Sequence, residues 1–206
     1  MEKENNKQKN VYDYLLKVLS ISKIGLLYST DPYALENYKK IRDLSLDMLE
    51  NIQDINLEGN PFFKRDIYPT PNISVRTCIF NENDEVLLVR EKSDGGYSLP
   101  GGWCDLYDSP TEAAKRECKE EAGAEVEITN LIGILNRTPF KNKTSVPEYV
   151  IVFRGKLLKP LKGHDHEITN VAYFNVDDLP KLSKKVTKEE MIKMIKSAQK
   201  GDLIYD

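Results

Sequence analysis

Glu117, Glu120 and Glu121 crowd into the stretch Arg116-Glu-Cys-Lys-Glu-Glu121. On a helix turning about 100° per residue, these three side chains share roughly 100° of arc. Like charges that close repel by a few tenths of a kcal/mol in an isolated helix, and by more where water is excluded. A divalent cation reverses the sign. Hard carboxylate oxygens suit Mg²⁺ or Mn²⁺, ions that hold diphosphate oxygens at the same time. Leu99-Pro-Gly-Gly102 just upstream lets backbone approach closely and offers a carbonyl from that stretch as a further ligand. Arg116 can orient a glutamate or meet a phosphate. On spacing alone two readings stand, a cation site and the solvated face that most charge runs form.

The element that must hold these acids is well marked. Ser109 is an N-cap residue, Pro110 suits the first helical position, Glu112 completes a capping box and Gly123 offers a left-handed stop, so a helix is predicted over Pro110 to Ala122. Ala114, Cys118 and Ala122 form its apolar strip. Around it lie short β-branched runs: Ile73 to Phe80 and Glu85 to Arg90, read as a hairpin across Asn81 to Asp84, then Glu125 to Ile128, Leu131 to Asn136, Tyr149 to Leu157 and Asn170 to Asn175. A last helix is expected near Lys188 to Gln199, with Thr187 and Glu190 spaced as a capping box.

The N-terminal part has a different period. Val11, Tyr14, Leu15, Val18 and Leu19 make an amphipathic helix expected to stop near Gly25, and a second follows Asp31-Pro32 with apolar positions from Leu35 to Ile52. Asn56 to Pro71 breaks the pattern and reads as a linker. The division expected is residues 1–66, a small all-α domain, and residues 67–206, an α/β or α+β domain with a mixed sheet. A net charge of −3 gives no basic field for a long nucleic acid, so a small substrate is expected. No apolar run spans a membrane, and Cys78, Cys104 and Cys118 show neither disulfide-scaffold nor metal-knuckle spacing, which fits a reducing cytoplasm.

The acidic stretch resembles the Nudix box, G-x5-E-x7-R-E-U-x-E-E-x-G-U with U aliphatic, aligned from Gly102 through Arg116, Glu117, Glu120, Glu121 and Gly123 to Ala124. Asp108 replaces the usual first glutamate, and Cys118 and Ala124 are small for the aliphatic positions. The resemblance implies a Nudix α/β/α sandwich, with Glu117 and Glu121 as principal metal ligands, Glu120 as a further ligand or base, the Gly101 carbonyl completing the shell, and Arg116 orienting a glutamate. It also implies an acid outside the box, for which Glu167 in Gly-His-Asp-His-Glu167 is the candidate. Ile21 to Tyr33 and Glu36-Asn-Tyr38, with Ser74 to Phe80 and Leu87 to Glu91, resemble the Nudix branch whose N-terminal helical extension accompanies action on X-linked nucleoside diphosphates. ADP-ribose and CDP-choline pyrophosphatases belong to that branch, and a homodimer is implied.

The expected chemistry is therefore Mg²⁺- or Mn²⁺-assisted hydrolysis of a nucleoside diphosphate conjugate to a nucleoside monophosphate and a phosphorylated partner group. Arg76 and Arg90 are candidates for phosphate binding, against a solvent-facing reading. Tyr28, Tyr33 and Tyr38 are read first as packing residues, and Lys141-Asn-Lys143 and Lys184-Lys185 as solvated charge. An RNA-directed hydrolase and a catalytically silent nucleotide sensor are the alternative classes. The intact set of box glutamates disfavours the second.

Overall fold

The computed structural model describes residues 2–53, 68–105, 108–137 and 147–206. Most of the expected linker, with Phe62 and Phe63, and Lys141 to Lys143 lie outside them. Contacts divide the chain into two compact units, the first running to Pro71 and the second beginning at Asn72.

The first unit contains α1 (Glu2–Tyr28) and α2 (Pro32–Gln53). Tyr12, Leu16, Leu19 and Leu49 are buried between them, with Leu15 and Leu46 packed alongside. Asp31 caps α2, its Oδ1 accepting the Tyr33 N–H at 2.8 Å. The first helix does not stop at Gly25 as its sequence suggests. A Cβ there would stand 2.5 Å from the Tyr38 ring. The glycine thus serves close packing inside the helix rather than ending it.

The second unit runs β1 (Asn72–Ile79), β2 (Val86–Glu91), β3 (Tyr97–Ser98), α3 (Pro110–Ala122), β4 (Val126–Asn136), β5 (Glu148–Leu157), β6 (Ile168–Phe174), α4 (Lys188–Lys200) and β7 (Ile204–Tyr205). A mixed sheet has the order β1-β5-β4-β7, with β1 parallel to β5 and β4 antiparallel to it. A smaller antiparallel sheet has the order β3-β2-β6. The hairpin expected at Asn81 does not join two strands of one sheet. Asn81 and Glu85 close the turn, but only the Phe80–Val86 bridge links the strands before they part into different sheets. The two expected strands at Glu125 to Asn136 form one, its register broken near Asn130 and Gly133.

Both faces of the strands are covered, which is why their runs are apolar rather than alternating. Ile79, Leu87 and Val89 pack with Cys118 and Ala122 of α3, while Val75 and Phe153 meet Ala113 and Ala114. Their neighbours Cys78, Val86 and Leu88, with Val150 and Val152, face Met191, Met194 and Ile195 of α4. Two helices thus sandwich the strands. Among the described residues no helix is long and apolar enough to cross a membrane.

Candidate active site

The helix bearing the acids begins and ends where its sequence says. Ser109 accepts the Glu112 N–H, Glu112 returns a bond to the cap backbone, and Gly123 stops the helix at φ 59°. Before it, residues 99–104 run antiparallel beside β1: the Val75 N–H donates to the Gly102 carbonyl at 2.9 Å, the Thr77 N–H to Pro100 at 3.0 Å, and the Cys104 N–H to Ile73 at 3.1 Å. The carbonyl of Gly101, between the two bonded to β1, accepts no hydrogen bond from the described residues. Gly101 has φ 146°, and a Cβ there would collide with the Val75 carbonyl. Only glycine fits at this position.

This strand meets α3 at the acids. The Gly101 N–H donates to Oε2 of Glu121 at 2.9 Å. A Cβ on Gly102 would lie 2.7 Å from the Glu117 carboxylate, so this glycine lets backbone and acid touch. The Glu121 carboxyl is pushed up to about 7, by burial first, with the Gly101 N–H and Arg76 opposing and the charges of Glu91 and Glu117 assisting. Burial also raises Glu117. Glu120 is exposed.

Arg116 gathers the rest. Its Nε donates to Asp108 at 3.1 Å, its Nη1 to Glu117 at 2.9 Å and to Glu120 at 3.3 Å, and its Nη2 to the Trp103 carbonyl at 3.2 Å. Burial lowers the guanidinium pKa, but the Asp108 bond and the Glu117 charge outweigh it and leave it raised. The aspartate in the first acidic position of the box therefore still reaches the arginine that bonds Glu117 and Glu120. In this arrangement the acids turn to Arg116 and Gly101, and no group of three or more acidic, histidine or cysteine side chains converges as a metal cluster among the described residues.

The structure separates the other candidates. Arg76 is half-buried, its Nη1 donates to the Val75 carbonyl at 2.9 Å, and no carboxylate lies within hydrogen-bonding distance of it among the described residues. Burial first, and then Arg137, lower its pKa, against the charges of Glu121, Glu148 and Glu190. Arg90 points to solvent and bonds the Gly95 carbonyl at 3.1 Å, as the solvent-facing reading of strand arginines has it. The loop bearing Glu167 touches the helix through backbone, the Asp165 N–H donating to the Glu120 carbonyl at 2.9 Å, while Glu167 itself is exposed.

Two polar groupings escaped the sequence. Glu91, only 4% exposed, accepts from Ser98 Oγ at 2.9 Å and from Lys185 Nζ at 2.7 Å. Lys185 is exposed, as its Lys-Lys setting suggests, and is also an ion-pair partner. Arg137 donates to Glu190 at 2.5 Å, Glu148 at 2.9 Å and the Lys185 carbonyl at 2.5 Å, all inside the unit. Glu190 turns to Arg137 instead of closing a box on Thr187, which still caps α4 alone. The single local signal was an acid ending the apolar run Val86 to Arg90.

The comparisons decide the family. The model described as the NUDIX domain matches residues 70–195. The chain belongs to the Nudix hydrolase family. Residues 9–59 match a second model, the UDP-X-like N-terminal oligomerisation domain. Among relatives of this Nudix chain, the Bacillus subtilis protein YjhB, which carries a provisional ADP-ribose pyrophosphatase name, is 33% identical over 87% of each chain. A crystal structure of UDP-X diphosphatase superposes with a TM-score of 0.62 at 29% identity, covering 96% of this chain and 98% of that one. An ADP-ribose pyrophosphatase from Streptococcus suis superposes with a TM-score of 0.58 at 31% identity, over 66% of this chain and 98% of its own.

Proposed function

We propose that this Nudix chain is a Mg²⁺- or Mn²⁺-dependent pyrophosphohydrolase that cuts nucleoside diphosphates linked to a second group, of the ADP-ribose or CDP-choline type. The observation that carries the reading is the junction at Gly101: one glycine bonds Glu121 through its N–H, the next admits the Glu117 carboxylate, and the Gly101 carbonyl has no hydrogen-bond partner among the described residues. Buried acids raised toward neutrality are what a dication would relieve, and two carboxylates with a carbonyl are a hard-oxygen donor set. The residues fit the ion. Glu117, Glu121 and the Gly101 carbonyl would hold it, with Glu120 as a further ligand or base. When bound, such an ion lowers the pKa of water and neutralises phosphate charge.

The chain's own residues do the remainder. Arg116 fixes Glu117 and Glu120 in place. Arg76, with no carboxylate within hydrogen-bonding distance among the described residues, would hold a phosphate oxygen. Water attacks phosphorus, the bridging P–O bond breaks, the water proton passes to Glu120 or Glu167, and a nucleoside monophosphate leaves with the phosphorylated partner group. The N-terminal helices would pair two copies into a homodimer, and the cytoplasm is the proposed compartment.

The test is turnover of ADP-ribose, CDP-choline, UDP-linked sugars and nucleoside triphosphates with Mg²⁺ or Mn²⁺, products identified by mass. Monophosphate release by the wild type, lost in a folded Glu121→Gln variant, supports the reading. Survival of every compound under both ions removes it.

A further inference from the structure

The cation nearest the buried acid Glu91 sits on a segment that is fastened in an unusual number of ways. The Tyr97 N–H donates to the Lys181 carbonyl at 2.9 Å, and the Ser183 N–H to Tyr97 at 2.9 Å. Asp94 accepts from Ser183 Oγ at 3.0 Å, from the Lys184 N–H at 2.7 Å and from the Gly96 N–H at 2.8 Å. Arg137, 4% exposed and bound to two carboxylates, takes the Lys185 carbonyl. Main chain on both sides of Lys185 is therefore held still. Its side chain reaches out to Glu91 and is 50% exposed, while that of Glu91 is only 5% exposed.

Glu91 belongs to the acid group of the site. Its charge acts on Glu121, and Ser98, which bonds Glu91, begins the short run to Gly101, which bonds Glu121. Lys185 thus stands at the solvent edge of the same cluster, a compact ammonium with three donors on a fixed backbone. Such a group binds phosphate as a point charge.

We propose that Lys185 is a phosphate contact of this active site, its ammonium passing from Glu91 to the diphosphate of the bound substrate. The inference rests on the pyrophosphohydrolase reading for its substrate and adds a residue that the box does not contain. Glu91 is then the resting partner of the lysine and a competitor of the ligand.

Binding of methylenediphosphonate with Mg²⁺, followed by calorimetry, tests this without turnover. Lys185→Met is expected to weaken binding by about tenfold or more, Lys185→Arg to stay within about threefold, and Glu91→Gln to bind as well as wild type or better. The double variant Glu91→Gln/Lys185→Met leaves no unpaired buried acid and is expected to bind as weakly as Lys185→Met, which separates contact from misfolding. Equal binding by Lys185→Met and wild type overturns the proposal. So does a loss in Glu91→Gln as large as that in Lys185→Met, because the lysine would then act only through the acid. A wild type that binds the probe yet turns over no substrate overturns the hydrolase reading and leaves this measurement standing.

Discussion

The Gly101 N–H lies 2.9 Å from Oε2 of Glu121, so a backbone strand and a helical acid are fixed to one another by a single hydrogen bond. Gly101→Ala puts a side chain at φ 146° and drives it into the Val75 carbonyl. The strand must then lift from β1. Expected are a loss of about 2 kcal/mol or more in stability and a fall of about a hundredfold in kcat. Gly201→Ala is the control, also at positive φ (74°) but with open space around its Cβ. It should cost about 1 kcal/mol and leave kcat unchanged; denaturant melts and steady-state rates compare the two.

Glu121 makes stability depend on pH in a direction opposite to most carboxylates. Its carboxyl is raised from 4.5 to about 7 in the folded chain. Between those values the native state holds a proton that the unfolded chain has lost. Stability therefore falls as pH rises through the window, by on the order of 2 kcal/mol, and stays low above it. Without divalent ions, Glu121→Gln should melt higher than wild type at pH 8 and level with it near pH 4.5. A wild type that melts higher than Glu121→Gln at pH 8 in chelator contradicts this. Adding Mn²⁺ should reverse the order, since the ion binds only the folded acid.

Which parts the sequence foretold follows from how far apart the determining residues lie. Every device that bounds α3 is local: Ser109, Pro110, Glu112 and Gly123 act within their own turns. Leu99-Pro-Gly-Gly102 announced a close approach of backbone to the acids, but the pairing of Gly101 with Glu121 itself was not legible from the residues, because no propensity brings a strand to a helix face. The hairpin reading failed because Asn81 closes a good turn in either case, and the choice between one sheet and two is made by distant partners, β5 for β1 and β6 for β2. β3 and β7, at two residues each, carry too little pattern to be seen. The Glu91–Lys185 pair joins positions from β2 and the approach to α4, so neither residue announces the other.

Arg137 carries a large unfavourable desolvation that Glu148, Glu190 and the Lys185 carbonyl offset. Its side chain and that of Glu148 are each 4% exposed, and Glu190 is 1% exposed. Arg137→Met strands the buried Glu190 carboxylate and takes one partner from Glu148, which keeps the bond from Ser74 Oγ, and is expected to cost about 3–5 kcal/mol. Arg137→Met/Glu190→Gln should recover part of that loss, because the stranded charge has gone. Denaturant melts of both variants decide the matter; a double variant no more stable than the single one would show that packing, not charge, sets the cost.

The face of the N-terminal hairpin turned away from its own core gives the remaining prediction. Leu44 is 69% exposed and Met48 49% exposed on α2, one helical turn apart, while Leu49 is fully buried. In a lone copy these two side chains lie in water, where burying them against a second copy would be worth roughly 1.5–3 kcal/mol each. Leu44→Glu/Met48→Glu should therefore shift the proposed homodimer to monomer in sedimentation while its helix content is kept, since neither position fills the hairpin's own core. An unchanged sedimentation coefficient would place the oligomer contact on another face. A dimer lost together with helix content would mean that the hairpin folds only when paired.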